Sequence, residues 1–110
     1  MGATDHLLCP AAKAMELFDE RWTLLVVREL VLGSKRFNEL RRQLPEVSPS
    51  VLSKRLHRLA ITGIVRKSMV DGDVHYVLTE AGRDLRPVVE ALGAWGARWL
   101  ESTDDASARS

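Results

Sequence analysis

One stretch constrains this chain more than any other: Ser48-Pro49-Ser50-Val51-Leu52-Ser53-Lys54-Arg55-Leu56-His57-Arg58-Leu59. Ser48 suits a helix N-cap, where its hydroxyl accepts a bond from a first-turn amide that has no other partner. Pro49 suits the position after it, because no amide hydrogen is needed there. Leu52, Leu56 and Leu59 recur at helical spacing and make an apolar back, with Val51 at its edge. Ser50, Lys54, His57 and Arg58 fall opposite, with Ser53 and Arg55 on the flanks. A short helix with a leucine back and a front of hydroxyls and cations fits the DNA major groove. Hydroxyls allow close approach, guanidinium groups fork onto guanine, and the capped end favours phosphate. A basic amphipathic stretch of this kind also fits an ordinary surface helix, so its surroundings decide.

Charge distribution supports the nucleic-acid reading. The net charge is only +1, yet residues 34–67 hold nine basic residues against Glu39 and Glu46, while the rest holds seven basic and thirteen acidic. A basic middle between acidic flanks is the footprint of a polyanion-binding face. At 110 residues the chain predicts one domain with a small core, of the kind that often gains burial by dimerising. No apolar run is long enough to span a bilayer, and a single cysteine fits a reducing, cytoplasmic home. His6, His57 and His75 are scattered, and no Gly-rich phosphate loop is present, so neither catalysis nor a metal or cofactor is expected.

The pattern around the central stretch predicts a mainly α fold with a small β-hairpin. A flexible arm over 1–8 precedes a first helix opened by Cys9-Pro10, with Ala11, Ala14, Met15 and Phe18 as its apolar stripe. A buried helix follows from Arg21 to Leu32, stopped by Gly33. Ser34-Lys35-Arg36 forms a basic loop, and a helix near Asn38 to Leu44 turns Leu40 and Leu44 inward. With the Pro49 helix this makes a helix-turn-helix. Gly63 ends the second helix. Two β-like runs, 64–70 and 74–78, are joined by Asp71-Gly72-Asp73, a strong hairpin signal, and form the wing of a winged helix. Thr79 caps another helix, which Pro87 divides.

Leu85, Val88, Leu92, Trp95 and Trp99 then repeat at steps of 3, 4, 3 and 4, the spacing of a helix-pairing seam. Two indoles on a terminal helix are more apolar surface than so small a body readily covers, which favours a homodimer over packing on the protomer itself. The domain thus runs over 9–101, and a polar tail over 102–110 is expected to be disordered.

These features together resemble the HxlR-type transcriptional regulators, winged-helix proteins related to the MarR type. The likeness runs from Cys9 to about Leu100. It rests on Cys9-Pro10, Arg21-Trp22-Thr23-Leu24-Leu25, Arg28-Glu29-Leu30, Gly33 and Arg36-Phe37-Asn38-Glu39-Leu40. It continues through Ser48-Pro49, Val51-Leu52-Ser53, Arg55-Leu56, Gly63, Tyr76-Val77-Leu78-Thr79-Glu80, Gly82, Pro87-Val88 and Trp95-Gly96. The resemblance implies dimerisation through the terminal helices, recognition helices in successive major grooves of a pseudo-palindromic double-stranded operator, and transcriptional control in a bacterial or archaeal cytoplasm. The family's recognition pattern falls on Ser48, Ser50, Ser53, Lys54, Arg55 and His57. The wing departs from it: the family's tip is often longer and contains proline, whereas this one is tight and acidic, which moves the phosphate-contact role to Arg66 and Lys67, with His75 secondary.

The expected division of labour gives base edges to Lys54, His57 and Ser53. Ser48, Ser50, Arg55 and Arg58 serve bases or phosphates, and Lys35, Arg36, Arg66 and Lys67 serve phosphates. The resemblance also implies a role for Cys9, because several family members sense oxidants or electrophiles such as quinones or aldehydes through a cysteine at this position. Independently, a thiol at a helix N-terminus favours the reactive thiolate, and His6 could add charge; the opposing reading is an inert buried thiol. Two further alternatives are a winged helix used for protein–protein contact and a regulator answering to a small ligand held between the Trp22 helix and the terminal helices.

Overall fold

The computed structural model describes residues 9–33 and 35–101; the arm at 1–8, with His6, and the tail at 102–110 lie outside the described residues, as does Ser34. The elements are α1 (Pro10–Leu17), α2 (Thr23–Val31), α3 (Phe37–Gln43), α4 (Pro49–Ile61), β1 (Val65–Val70), β2 (Asp73–Leu78), a short α5 (Glu80–Arg83) and α6 (Arg86–Gly96), which widens into a π turn at Ala97–Glu101. This is a winged helix-turn-helix: α3 and α4 form the helix pair and the β1–β2 hairpin forms the wing.

The leucine back of α4 becomes the centre of the core. Leu52, Leu56 and Leu59 are buried with Val26, Val27 and Leu30 of α2, Leu40 of α3, Leu44, Val47, Ile64, Val65 and Leu78. Full burial of each such leucine is worth about 1.5–3 kcal/mol, so α4 is held by its back and leaves its front free. Its ends are fixed locally. The Ser48 hydroxyl accepts from the Val51 amide at 3.2 Å, Pro49 occupies the first turn, and Gly63 takes a left-handed φ of +82° that turns the chain into β1.

The wing is antiparallel, in register from Val65 opposite Leu78 to Val70 opposite Asp73. Asp71 and Gly72 both have positive φ, 51° and 84°, as a two-residue type I′ turn requires. Asp73 therefore belongs to the strand rather than to the turn. The expected basic loop is also partly strand, because Lys35 exchanges backbone bonds with Tyr76 at 3.1 and 2.7 Å on the outer edge of β2. At the far end of β2 the Thr79 hydroxyl accepts from the Gly82 amide at 3.2 Å and donates to the Gly63 carbonyl at 2.5 Å. One side chain thus caps α5 and ties it to the end of α4.

Three expectations about the helices change. In α1 the buried residue is Ala12, with Leu17 and Phe18 half-buried, while Ala11, Ala14 and Met15 face outward. Only one edge of α1 meets the protomer. The buried helix begins later than expected, because Trp22 caps α2 in the left-handed region (φ 80°), an unusual place for a bulky residue. It makes the elbow between α1 and α2, with the Arg21 guanidinium 4.4 Å above its ring. Thr23 and Glu29 are buried in α2, while Leu32 just beyond its end is exposed. The expected seam also divides. Leu85 packs inward with Val89, whereas Val88, Leu92, Trp95 and Trp99 are each about half exposed in the protomer.

Candidate nucleic-acid interface

Ser50, Ser53, Lys54 and His57 are exposed along the front of α4, opposite its buried leucines. Two different parts of the molecule flank the helix. On one side stands the wing, where Lys67 and Tyr76 line a recess with Ser53, His57 and Ala60. Lys67 is thereby brought to the reading face. Its neighbour Arg66 is exposed but sits opposite Val77, and strand alternation sends it to the other face of the hairpin, away from α4.

On the other side is the α1–α2 joint, which engages both α4 arginines. Arg55 donates from Nε to the Arg21 carbonyl at 2.8 Å and lies 3.1 Å from Glu20 Oε2, with its side chain only 16% exposed. Arg58 lies 2.5 Å from Glu20 Oε1. Arg55 is therefore engaged in the protomer as a brace between the joint and α4. The physical reason is its place on the flank of the helix, a third of a turn from the front and within reach of a main-chain carbonyl.

The two loop cations are also engaged. Lys35 donates from Nζ to the Glu29 carbonyl at 2.9 Å, near the end of α2, where a cation complements the helix dipole. Arg36 lies 3.3 Å from Glu39 and 3.6 Å from Asp73 of the wing. The Arg36 amide, donating to the Glu39 carboxylate at 2.8 Å, and then its guanidinium hold that carboxyl below its ordinary pKa. The acidic wing tip thus takes up part of the basic loop's charge. His75 is half-buried and is not presented as a phosphate contact.

Two arginines that sequence reasoning counted but did not assign lie at the start of α4. Arg41 and Arg42 of α3, with Asn38, Pro45, Val47, Ser48 and Pro49, line an open groove. Both are exposed, and no ion pair engages either among the described residues. Backbone amides at a helix start favour phosphate, and two free guanidinium groups beside them strengthen that preference. The available signal was their placement on the outward side of the first helix of the pair, directly before the turn.

Two further surfaces complete the picture. Cys9 is exposed at the N-cap of α1, so it is not a buried filler. Along α6, Pro87, Val88, Ala91, Leu92 and Trp95 line an open apolar groove. A second groove, between α2 and α6, is lined by Leu24, Leu25, Val89, Leu92 and Gly93 with Arg28 at its rim. No helix among the described residues is long and apolar enough to cross a membrane.

Comparison with known proteins agrees with this arrangement. The model of the HxlR-like helix-turn-helix family matches residues 17–104. The HTH-type transcriptional regulator YvaP of Bacillus subtilis is 34% identical over 98 residues, covering 86% of this chain and 91% of the relative. Among solved structures, the reduced form of the transcriptional regulator YodB from B. subtilis is 32% identical with a TM-score of 0.73, covering 86% of this chain and 97% of YodB. The redox regulator HypR in its oxidized form is 32% identical with a TM-score of 0.75, covering 82% of this chain and 96% of HypR. With its helix pair, its wing and a family match over most of its length, the chain belongs to the HxlR-like helix-turn-helix transcriptional regulators.

Proposed function

We propose that the protein regulates transcription in the cytoplasm by binding a specific double-stranded DNA operator as a homodimer. The observation that carries this reading is the front of α4: hydroxyls, an ammonium and an imidazole stand exposed on a helix whose back is locked into the core. Lys54, His57 and Ser53 read base edges. Ser48 and Ser50, at the helix start, approach the backbone together with Arg41 and Arg42. Lys67 reaches phosphate from the wing side. A protein-binding use of the same face would call for apolar or acidic residues along it, whereas Ser50, Ser53, Lys54 and His57 are neither, and the one large apolar exception, Ile61, stands at the far end of the helix.

Dimerisation covers the apolar side of α6, formed by Val88, Leu92, Trp95 and Trp99. Two-fold pairing then places two copies of α4 about one helical turn of DNA apart, roughly 34–36 Å, and requires a pseudo-palindromic operator. Lys54→Ala is expected to cost roughly 1–3 kcal/mol at the preferred site and to change the preferred sequence, as loss of a base contact does. Lys67→Ala should weaken every duplex about equally. Selection of bound sequences from a random pool by each variant measures this. Uniform loss in both variants would refute the assigned roles.

Cys9 supplies the signal in this reading. YodB and HypR, both similar to this chain, have been solved in reduced and in quinone-bound or oxidized forms, and Cys9 is exposed at the start of a helix that meets the protomer along one edge only. An oxidant that accepts two electrons would join two Cys9 thiols across the dimer as a disulfide, with loss of both protons. A quinone would add one thiolate to its ring. Either product re-aims α1, and with it the two α4 helices. Cys9→Ser is expected to bind operator like wild type and to stay bound under diamide or quinone, while wild type dissociates. Equal release of both proteins in a gel-shift series would remove Cys9 from the mechanism.

A further inference from the structure

We propose that Glu20 is an internal substitute for a DNA phosphate, which holds Arg58 off the nucleic-acid backbone and so attenuates binding to every duplex. This rests on the DNA-binding role given to α4. Arg58 is one turn beyond Lys54, at the edge of the exposed front, and its side chain is 46% exposed. Of the two roles open to it, bases or phosphates, we assign it the phosphate. Yet its NH1 lies 2.5 Å from Glu20 Oε1.

The carboxylate is well placed to keep it. The other oxygen, Oε2, lies 3.1 Å from Arg55, whose Nε is anchored on the Arg21 carbonyl at 2.8 Å and whose side chain is largely buried. A largely buried arginine therefore fixes the carboxylate, and the carboxylate presents its other oxygen to a half-exposed arginine on the front of α4. Guanidinium groups bind carboxylate and phosphate by the same planar, forked geometry, so Glu20 and a DNA phosphate compete for a single partner. Phosphate contacts strengthen all sequences alike, whereas base contacts strengthen only the operator. Occupying Arg58 thus lowers total affinity without touching the groups that read sequence. Glu20 also lies in the short joint leading from α1 to the Trp22 elbow, so a reorientation of α1 moves the carboxylate relative to α4.

The test is a double-mutant cycle on the full-length protein, with binding to operator and to a random-sequence duplex measured over a salt series. Glu20→Gln is expected to raise affinity at least about fivefold at low salt, equally on both duplexes, and to steepen the log–log salt slope by about 0.9 per protomer. Arg58→Ala should cost little in the wild-type background and the whole gain in the Glu20→Gln background. A simple change in the protein's net charge predicts the same cost in both backgrounds, and that result would overturn the proposal. Failure of Glu20→Gln to tighten binding would overturn it as well. Should Glu20→Gln not fold, Glu20→Asp shortens the acid by one methylene and must move affinity in the same direction. A wild-type protein that binds no duplex overturns the DNA-binding reading itself. A wild type that binds, with an additive cycle, removes only the role of Glu20.

Discussion

Gly82→Ala is expected to lower the melting temperature by roughly 10 °C or more, the consequence of about 2–4 kcal/mol of destabilisation in a domain of this size. A Cβ at this position would stand 2.3 Å from the Ile64 carbonyl oxygen and 2.9 Å from Leu78 Cδ2. The first of these is main chain at the entry to the wing, so it cannot swing aside. Relief requires α5 to move away from the hairpin. That movement would also pull Thr79 from the carbonyls of Gly63 and Ile64, to which it donates. The loss therefore spreads from a single methyl to the junction holding α4, the wing and α5 together. Thermal unfolding followed by circular dichroism measures it. A variant melting within about two degrees of wild type would mean that the α5–wing contact yields freely.

Leu92→Asp combined with Trp95→Asp is expected to produce a folded monomer whose affinity for the operator is lower by at least 100-fold, the scale of avidity that linkage of two binding modules supplies. In the protomer Leu92 is 50% and Trp95 56% exposed, so neither is required to build the core. Covered in a dimer, each would contribute on the order of 1–3 kcal/mol, and a carboxylate at the centre of that surface would be left without a partner. Sedimentation gives the mass and circular dichroism the helix content. The contrast with Gly82→Ala is the point of the pair, since one variant should weaken the fold and leave the pairing surface intact, while the other does the reverse. A double variant that remains dimeric would place the partner contact elsewhere.

Local chemistry made the interface's scaffold legible from sequence. Ser48 and Pro49 mark where α4 begins, the spacing of Leu52, Leu56 and Leu59 orients it, and Asp71-Gly72 dictates the hairpin turn, because each of these signals acts within a few residues. The attachments of α4 to the rest of the body were not legible. Glu20 lies 35 residues before Arg55 and 38 before Arg58, and a lone carboxylate at that distance has no periodicity to betray it. For the same reason Arg55 and Arg58 looked free, as did Lys35, whose amine and backbone are taken up by Glu29 and Tyr76. Trp22 reads as a core residue by its hydrophobicity, and only the path of the chain makes it an elbow. The terminal seam was legible as apolar, but which part faces the protomer depends on where α6 begins, at Arg86 just before Pro87. Leu85, before that start, turns inward, and Val88 does not.

The division of charge along α4 has a consequence for how binding should depend on salt. With Arg55 and Arg58 engaged by the joint and Lys35 and Arg36 by backbone and carboxylates, the cations left for phosphate on each protomer are chiefly Arg41, Arg42 and Lys67. Lys54 is left out of this count because the proposed role places it at the base edges. The number of neutralised phosphates is then nearer three per protomer than the nine basic residues of the segment suggest.

The most direct measurement is the affinity of the purified wild-type protein for a genomic fragment it retains, titrated from low to physiological salt. Three phosphate contacts on each of two protomers give a log–log slope of about −5. An affinity that falls with that slope, and that far exceeds the affinity for random duplex at every salt concentration, is the expected result. No binding to any duplex at low ionic strength, or a slope near zero, would contradict a nucleic-acid role for the front of α4.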